Sequence, residues 1–253
     1  MKSFVDSSKQ LTLISGLSVY HVFEPDEPHS SNVRVQERRN RPPMYWESYN
    51  AAVQIDKGME EIPLYKKSKL VPGAESFPFK DVLFFMEPLV DQLGGSTAGL
   101  ATQATRSVFQ NQSGFRVGPV ICYESIFGAY YTGYVREGAQ LLFIMTNDGW
   151  WDNTAGHQQH LRFASLRAIE TRRSIARAAN TGISAFINQR GDIVQQTRYD
   201  ESATLRHALM PSDCITFYVY WGDMIGRICG FLAAILLLNT LVRPITRKEE
   251  TPA

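Results

Sequence analysis

Short apolar runs closed by polar or turn residues recur along most of this chain, and their lengths and spacing set the expected elements. Val117 to Ile121 and Leu141 to Met145 are continuous apolar stretches of strand length, the pattern of strands covered on both faces. Similar patterning predicts a first strand over 11–20 and a strand pair spanning 49–66, separated by a polar loop from Glu24 to about Tyr45. A Phe- and Leu-rich helix is expected near 80–93, with Gly94 to Thr97 as a turn, and Ser107 to Phe109 opens a hairpin leading into the Val117 strand. Beyond it the pattern predicts a helix at 125–137, a strand at 141–146, and a helix at 157–177 with Ala164, Leu166, Ile169 and Ile175 on its apolar side. Strands at 183–188 and 193–197, joined by the Asn188 to Gly191 turn, complete a mixed α/β order. Residues 1–10 lack the apolar core of a signal peptide and read as the tail of a helix entering the first strand.

One later segment has a different character. Ile228 to Val242 holds no charged residue, and Met224 to Val242 at about 1.5 Å per residue gives a helix of about 28 Å, close to a bilayer's hydrocarbon thickness. Phe217, Tyr218, Tyr220 and Trp221 precede it, and Arg243, Arg247 and Lys248 follow it. The aromatic belt and the positive-inside rule then put the C-terminus in the cytoplasm and the bulk of the chain outside. The expected organisation is a catalytic domain over 1–215, a transmembrane helix over 216–243 and a cytoplasmic tail over 244–253.

A formal net charge of +1 and the lack of a basic stripe interleaved with aromatics exclude a nucleic-acid footprint. The five histidines show no metal-ligand spacing, so no metal or other cofactor is expected. Three cysteines, Cys122, Cys214 and Cys229, do not make a disulfide framework.

Cys122 is the candidate for chemistry. It ends the Val117 strand and is followed by Tyr123, Glu124 and Ser125, and the carboxyl ends of strands are where α/β folds build sites. The adjacent strand runs into Thr146-Asn-Asp-Gly-Trp-Trp151, bringing more polar and aromatic groups to the same end. A buried structural cysteine is the competing reading, since free cysteine often behaves as a small hydrophobe. A thiol is mostly protonated at neutral pH and needs a nearby cation or base to act as a nucleophile. Tyr65-Lys-Lys67-Ser-Lys-Leu-Val-Pro72 offers three lysines, which composition alone would place in a solvated turn.

Taken together, Tyr65-x-Lys67-x-x-Leu70-Val-Pro72 with Glu75, Cys122-Tyr-Glu124, Asn147-Asp-x-Trp150, Gln159-His160, Arg167-Ala-x-Glu170 and Asn180-x-Gly182 resemble the nitrilase (carbon–nitrogen hydrolase) superfamily. Within it they are most similar to the apolipoprotein N-acyltransferases, and the similarity runs over roughly residues 11 to 243. The resemblance implies an α-β-β-α sandwich. It makes Cys122 the nucleophile and Lys67 the cation that stabilises thiolate and oxyanion, with Lys66 and Lys69 as bystanders. Glu75 and Glu124 match accessory carboxylates, Tyr123 and Trp150 match an acyl and lipid entrance, and Asn147 joins them as a substrate contact.

The implied reaction is N-acylation of the diacylglyceryl-cysteine of bacterial lipoproteins. The acyl group comes from a phospholipid and passes through a cysteine thioester, and the implied location is the inner membrane with the catalytic domain on the periplasmic side. The family's triad also has a glutamate in a Pro-Glu-Thr type segment upstream of the first strand, and this sequence starts at Met1 without one. Impaired turnover is therefore expected. An internal start in a longer gene, a split protein whose partner supplies the glutamate, and a decayed copy each account for such a start. Two other functions stay open: hydrolysis of a small amide or nitrile, and an inactive membrane-anchored module that binds lipoproteins.

Overall fold

The computed structural model describes residues 1–8, 10–30, 32–76 and 99–247. The helix expected near 80–93, the Gly94 to Thr97 turn and the end of the tail lie outside the described residues.

A short helix α1 (Lys2–Asp6) leads to β1 (Leu13–Val22), and β2 (Arg34–Arg38), β3 (Arg41–Ile55) and β4 (Leu64–Lys66) complete a four-stranded sheet. β1 pairs antiparallel with β3 over its whole length, from Leu13 opposite Ile55 to Val22 opposite Trp46. The second half of β3 is buried from Glu47 onward, apart from a partly covered Asn50, while the first half projects with β2 as an exposed flap. The polar loop expected over 24–45 therefore contains β2 and the start of β3. Its charged positions suit a largely exposed two-stranded ribbon.

The second sheet has six strands in the order β10-β9-β8-β7-β6-β5. β5 (Phe109–Gln110) and β6 (Arg116–Ile121) form the expected hairpin, and β6, β7 (Leu141–Thr146) and β8 (Ser174–Ala179) run parallel at the centre. β9 (Ala185–Ile187) and β10 (Ile193–Gln196) add antiparallel strands at one edge. A 3-10 turn (Cys122–Ile126) and helix α2 (Gly128–Arg136) replace the single helix expected at 125–137. The two sheets meet where β3 packs on β6 and β1 on β7. The core between sheet and helices is built from Val120, Tyr131, Tyr134, Leu142, Ile144, Ala164, Ala168, Ile175 and Ile187.

The helix expected over 157–177 is corrected most. Helix α3 covers Ala155–Thr171 and ends on Arg172 at φ 52°, after which Ser174–Ala179 is a strand between β7 and β9. Ala176, Ala178 and Ala179 carry helix propensity, but a central strand position between two partners overrides it. Leu166 and Ile169 are exposed, and the buried stripe of α3 is instead His157, His160, Leu161, Ala164, Arg167, Ala168 and Thr171.

After β10 the chain crosses without regular structure to Thr216. Buried Arg173 donates to the carbonyls of Ala139 and Cys214, both at 2.7 Å, and Ser174 Oγ donates to Met210 O at 2.9 Å. Helix α4 (Phe217–Trp221) then packs on α2 and α3, with Val219 buried and its carbonyl accepting Arg136 Nε at 2.9 Å. Helix α5 (Met224–Arg247) follows. Its Met224–Arg243 stretch has a mean hydropathy of 2.0 and none of it is buried. Twenty residues at about 1.5 Å each reach about 30 Å, long enough to cross a bilayer.

Candidate active site

The carboxyl ends of β6, β7 and β8 place Cys122, Asn147 and Asn180 side by side, as expected for open parallel sheets. Cys122 has φ 48°. A non-glycine residue in the left-handed region costs about 1 kcal/mol or more, and such residues concentrate at functional sites.

β4 delivers the lysine. Lys67 N–H donates to Asn50 O at 2.7 Å, extending the β3–β4 ladder by one residue, and the Lys67 side chain is fully buried. Its Nζ donates to both carboxylate oxygens of Glu75, each at 2.8 Å. Glu75 also accepts from Asn50 Nδ2 at 2.6 Å and Val71 N at 2.7 Å, so its loop is held against the cation. Lys66 lies over the Tyr49 ring at 4.0 Å and Lys69 over the Tyr130 ring at 5.6 Å, so that of these three lysines it is Lys67 that lines the cavity.

Cys122, Lys67, Glu75, Asn147 and Trp150 line one cavity of about 820 Å³, together with Arg34, Asn50 and Asn180. A narrower recess of about 120 Å³ opens beside Cys122 and is lined by Val71, Ala74, Tyr123, Ile126 and Trp151. Trp150 borders both spaces and is 76% exposed. Among the described residues, Glu75 is the single carboxylate lining either space, and both its oxygens face Lys67. Among the described residues, no group of three or more His, Cys, Asp or Glu side chains is placed to hold a metal ion.

Glu124 lies elsewhere. It is fully buried within the Cys122–Ile126 turn, where Oε1 accepts from Tyr65 Oη at 2.6 Å and Ser68 N at 2.7 Å, and Oε2 from Ile121 N at 2.8 Å and Tyr134 Oη at 3.0 Å. Burial pushes its carboxyl up, and these donors oppose the push. The same burial, with the Glu124 charge, pushes the hydroxyls of Tyr65 and Tyr134 up. Glu124 thus ties the segment after Lys67 to the strand before Cys122.

A second buried network went unassigned in the sequence. Asp148 accepts from Thr146 Oγ1 at 2.8 Å and from Arg177 Nη2, and its Oδ1 lies 2.9 Å from His160 Nδ1. Burial would raise the Asp148 carboxyl, but His160, Arg177 and Thr146 outweigh it and hold the group at about 2. The signal was present as a charged residue, Arg177, in an apolar strand and as His160 on the buried stripe of α3.

The sequence profile of the carbon–nitrogen hydrolase family matches residues 32–217. A curated relative from Chlorobaculum tepidum, named apolipoprotein N-acyltransferase, is 30% identical over 245 residues, covering 96% of this chain and 46% of its own length. Another of that name from Sinorhizobium fredii is 36% identical over 200 residues, covering 78% of this chain and 36% of its own. The chain spans less than half the length of these relatives. Among solved structures, an amidase from Nesterenkonia sp. overlays with a TM-score of 0.47 at 18% identity, covering 74% of this chain and 62% of its own.

Proposed function

The chain belongs to the carbon–nitrogen hydrolase family, and we propose that it serves lipoprotein N-acylation, carrying the acyl group on Cys122. The observation that carries this reading is the pairing of Cys122, at a left-handed strand end, with the fully buried Lys67 in one cavity. An acyltransferase relative matching along 96% of the chain, and another along 78%, support the choice of acceptor.

In the proposed sequence the Cys122 thiolate attacks the ester carbonyl of a phospholipid. The tetrahedral oxyanion collapses, the C–O bond breaks, and lysophospholipid leaves as an alkoxide that takes a proton from water. The α-amine of a diacylglyceryl-cysteine lipoprotein then attacks the thioester, the C–S bond breaks, the amine's proton passes to water, and amide and free thiolate remain. Splitting one hard transfer into two easier ones is the gain of covalent catalysis. Lys67 faces the developing oxyanion, and one such donor is typically worth about 3 kcal/mol. Tyr123, Trp150 and Asn147 border the entrance, where the exposed Trp150 and the apolar recess suit an acyl chain. Helix α5 spans the inner membrane and, with Arg243 at its far end, leaves the catalytic domain on the periplasmic side.

The test supplies phosphatidylethanolamine vesicles and a diacylated lipopeptide to the protein and follows the lipopeptide mass. An added acyl chain that is lost in Cys122→Ala supports the reading. Unmodified lipopeptide together with Cys122-dependent hydrolysis of small amides would replace it with the hydrolase.

A further inference from the structure

Behind Cys122 lies a cluster of charged side chains that touches the cavities only through His160, at the wall of the narrow recess. Asp148, His160 and Arg177 come from the turn after β7, from α3 and from β8, and each is at most 3% exposed. Keeping three ionisable groups dry is expensive, and apolar residues of the same volume are often as stable. Their geometry converges on one atom, the carbonyl oxygen of Cys122. The Ser125 hydroxyl donates to it at 2.8 Å, and His160 Nε2 lies 3.1 Å from the same oxygen and 2.8 Å from that hydroxyl. On the other side of the ring, Nδ1 faces Asp148 Oδ1 at 2.9 Å, and Asp148 is fixed in turn by Arg177 and Thr146. The imidazole is therefore set beside Asp148 on one side and packed against the Ser125 hydroxyl and the Cys122 carbonyl on the other.

A peptide unit is planar and trans, so its C=O and N–H point in opposite directions. Holding the Cys122 carbonyl toward His160 turns the Tyr123 N–H away from the buried network. We propose that Asp148 and His160, with Ser125, are positioning residues that fix the Cys122–Tyr123 peptide so that the Tyr123 N–H serves the oxyanion formed at Cys122. This rests on the reading of Cys122 as the nucleophile. It separates two events at the same sulfur: alkylation by a haloacetamide forms no oxyanion, whereas acylation by an ester passes through one. A loose peptide plane slows the second far more than the first.

The experiment measures both rates at Cys122 by peptide mass mapping, with iodoacetamide and p-nitrophenyl acetate as probes, in the whole chain and in His160→Leu, His160→Gln, Asp148→Asn and Ser125→Ala. Thermal unfolding identifies the folded variants. Acylation is expected to fall at least about tenfold in His160→Leu and Asp148→Asn, part of the loss seen when an oxyanion donor is removed outright, while alkylation stays within about threefold. His160→Gln, whose amide can still reach the carbonyl, should recover most of the acylation rate. Equal losses in both reactions in a folded variant would mean a merely structural role and overturn the proposal, as would unchanged acylation. If His160→Leu does not fold, His160→Gln and Ser125→Ala decide: Ser125→Ala is expected to lose acylation selectively, and full acylation there overturns the proposal. A wild-type chain whose Cys122 takes neither probe would instead remove the nucleophile reading, and this inference with it.

Discussion

Glu75 holds Lys67 with both carboxylate oxygens, each 2.8 Å from Nζ, and the lysine has no exposure to solvent. A buried ammonium is tolerated only when its charge is matched and its donors are used. The pair therefore fixes the position of the Lys67 ammonium at the wall shared with Cys122. Removing the counter-ion leaves Lys67 uncompensated and also frees Asn50 Nδ2 and Val71 N. Glu75→Ala is expected to lower stability by about 3–5 kcal/mol, the usual cost of breaking a buried pair from one side. Glu75→Gln should lose less, since one acceptor remains. Urea unfolding of the two variants checks the order; equal stability of Glu75→Ala and the parent would contradict it.

Glu124 accepts from donors on both oxygens, so an amide in its place would turn an NH₂ group toward at least one donor. Ile121 N and Tyr134 Oη meet one oxygen, and Tyr65 Oη and Ser68 N the other. Glu124→Gln should cost about 1–3 kcal/mol, the penalty for buried donors left unsatisfied. Glu124→Ala should cost more. Chemical denaturation measures both, and a neutral Glu124→Gln would show that the hub is not held as described.

Acid stability should report on Asp148. Its carboxyl sits at about 2, below the ordinary carboxylate value of 3.8. A lowered folded-state value contributes stability that is complete above the ordinary value and fades as pH falls through the folded one. The stability gap between the parent and Asp148→Asn should thus shrink by about 2 kcal/mol between about pH 5 and about pH 1.5. Urea midpoints at several pH values test it, and a gap independent of pH would contradict the assignment.

The proposal makes α5 the membrane anchor, and the packing of α4 sets where the chain can be cut. Val219 is buried and its carbonyl is bonded to Arg136, so ending the chain near Phe217 would strip α4 from the body. A chain ending at Gly222 should stay folded and leave the membrane fraction, whereas the full chain should remain in it. Membrane retention of the shortened chain, or a full chain found in the soluble fraction, would remove α5 as the anchor.

The hydropathy pattern made the parallel centre of the large sheet readable. Leu141 to Met145 and Val117 to Ile121 are covered on both faces and carry unbroken apolar runs, which few other elements imitate. β8 escaped because Ala176, Ala178 and Ala179 suit a helix as well as a strand, and its place is decided by pairing with β7, on the far side of α3, and with β9. Cys122, Lys67, Glu75, Asn147 and Trp150 were legible as a set through the resemblance to the nitrilase superfamily, and the structure brings all five to one cavity. Glu124 was legible as important and not as a hub, because nothing local to it announces Tyr65 and Tyr134. His160 and Asp148 carried no role until their shared contact near the Cys122 carbonyl was visible.

The most direct test of the account is the fate of the Cys122 sulfur. The protein is incubated with phosphatidylethanolamine vesicles without acceptor, then digested and mapped by mass spectrometry, with hydroxylamine treatment of a parallel sample. The account expects an acyl chain on the Cys122 peptide that hydroxylamine removes, with Cys214 and Cys229 unmodified although both are exposed. An unmodified Cys122, or acylation at Cys214 instead, would contradict it.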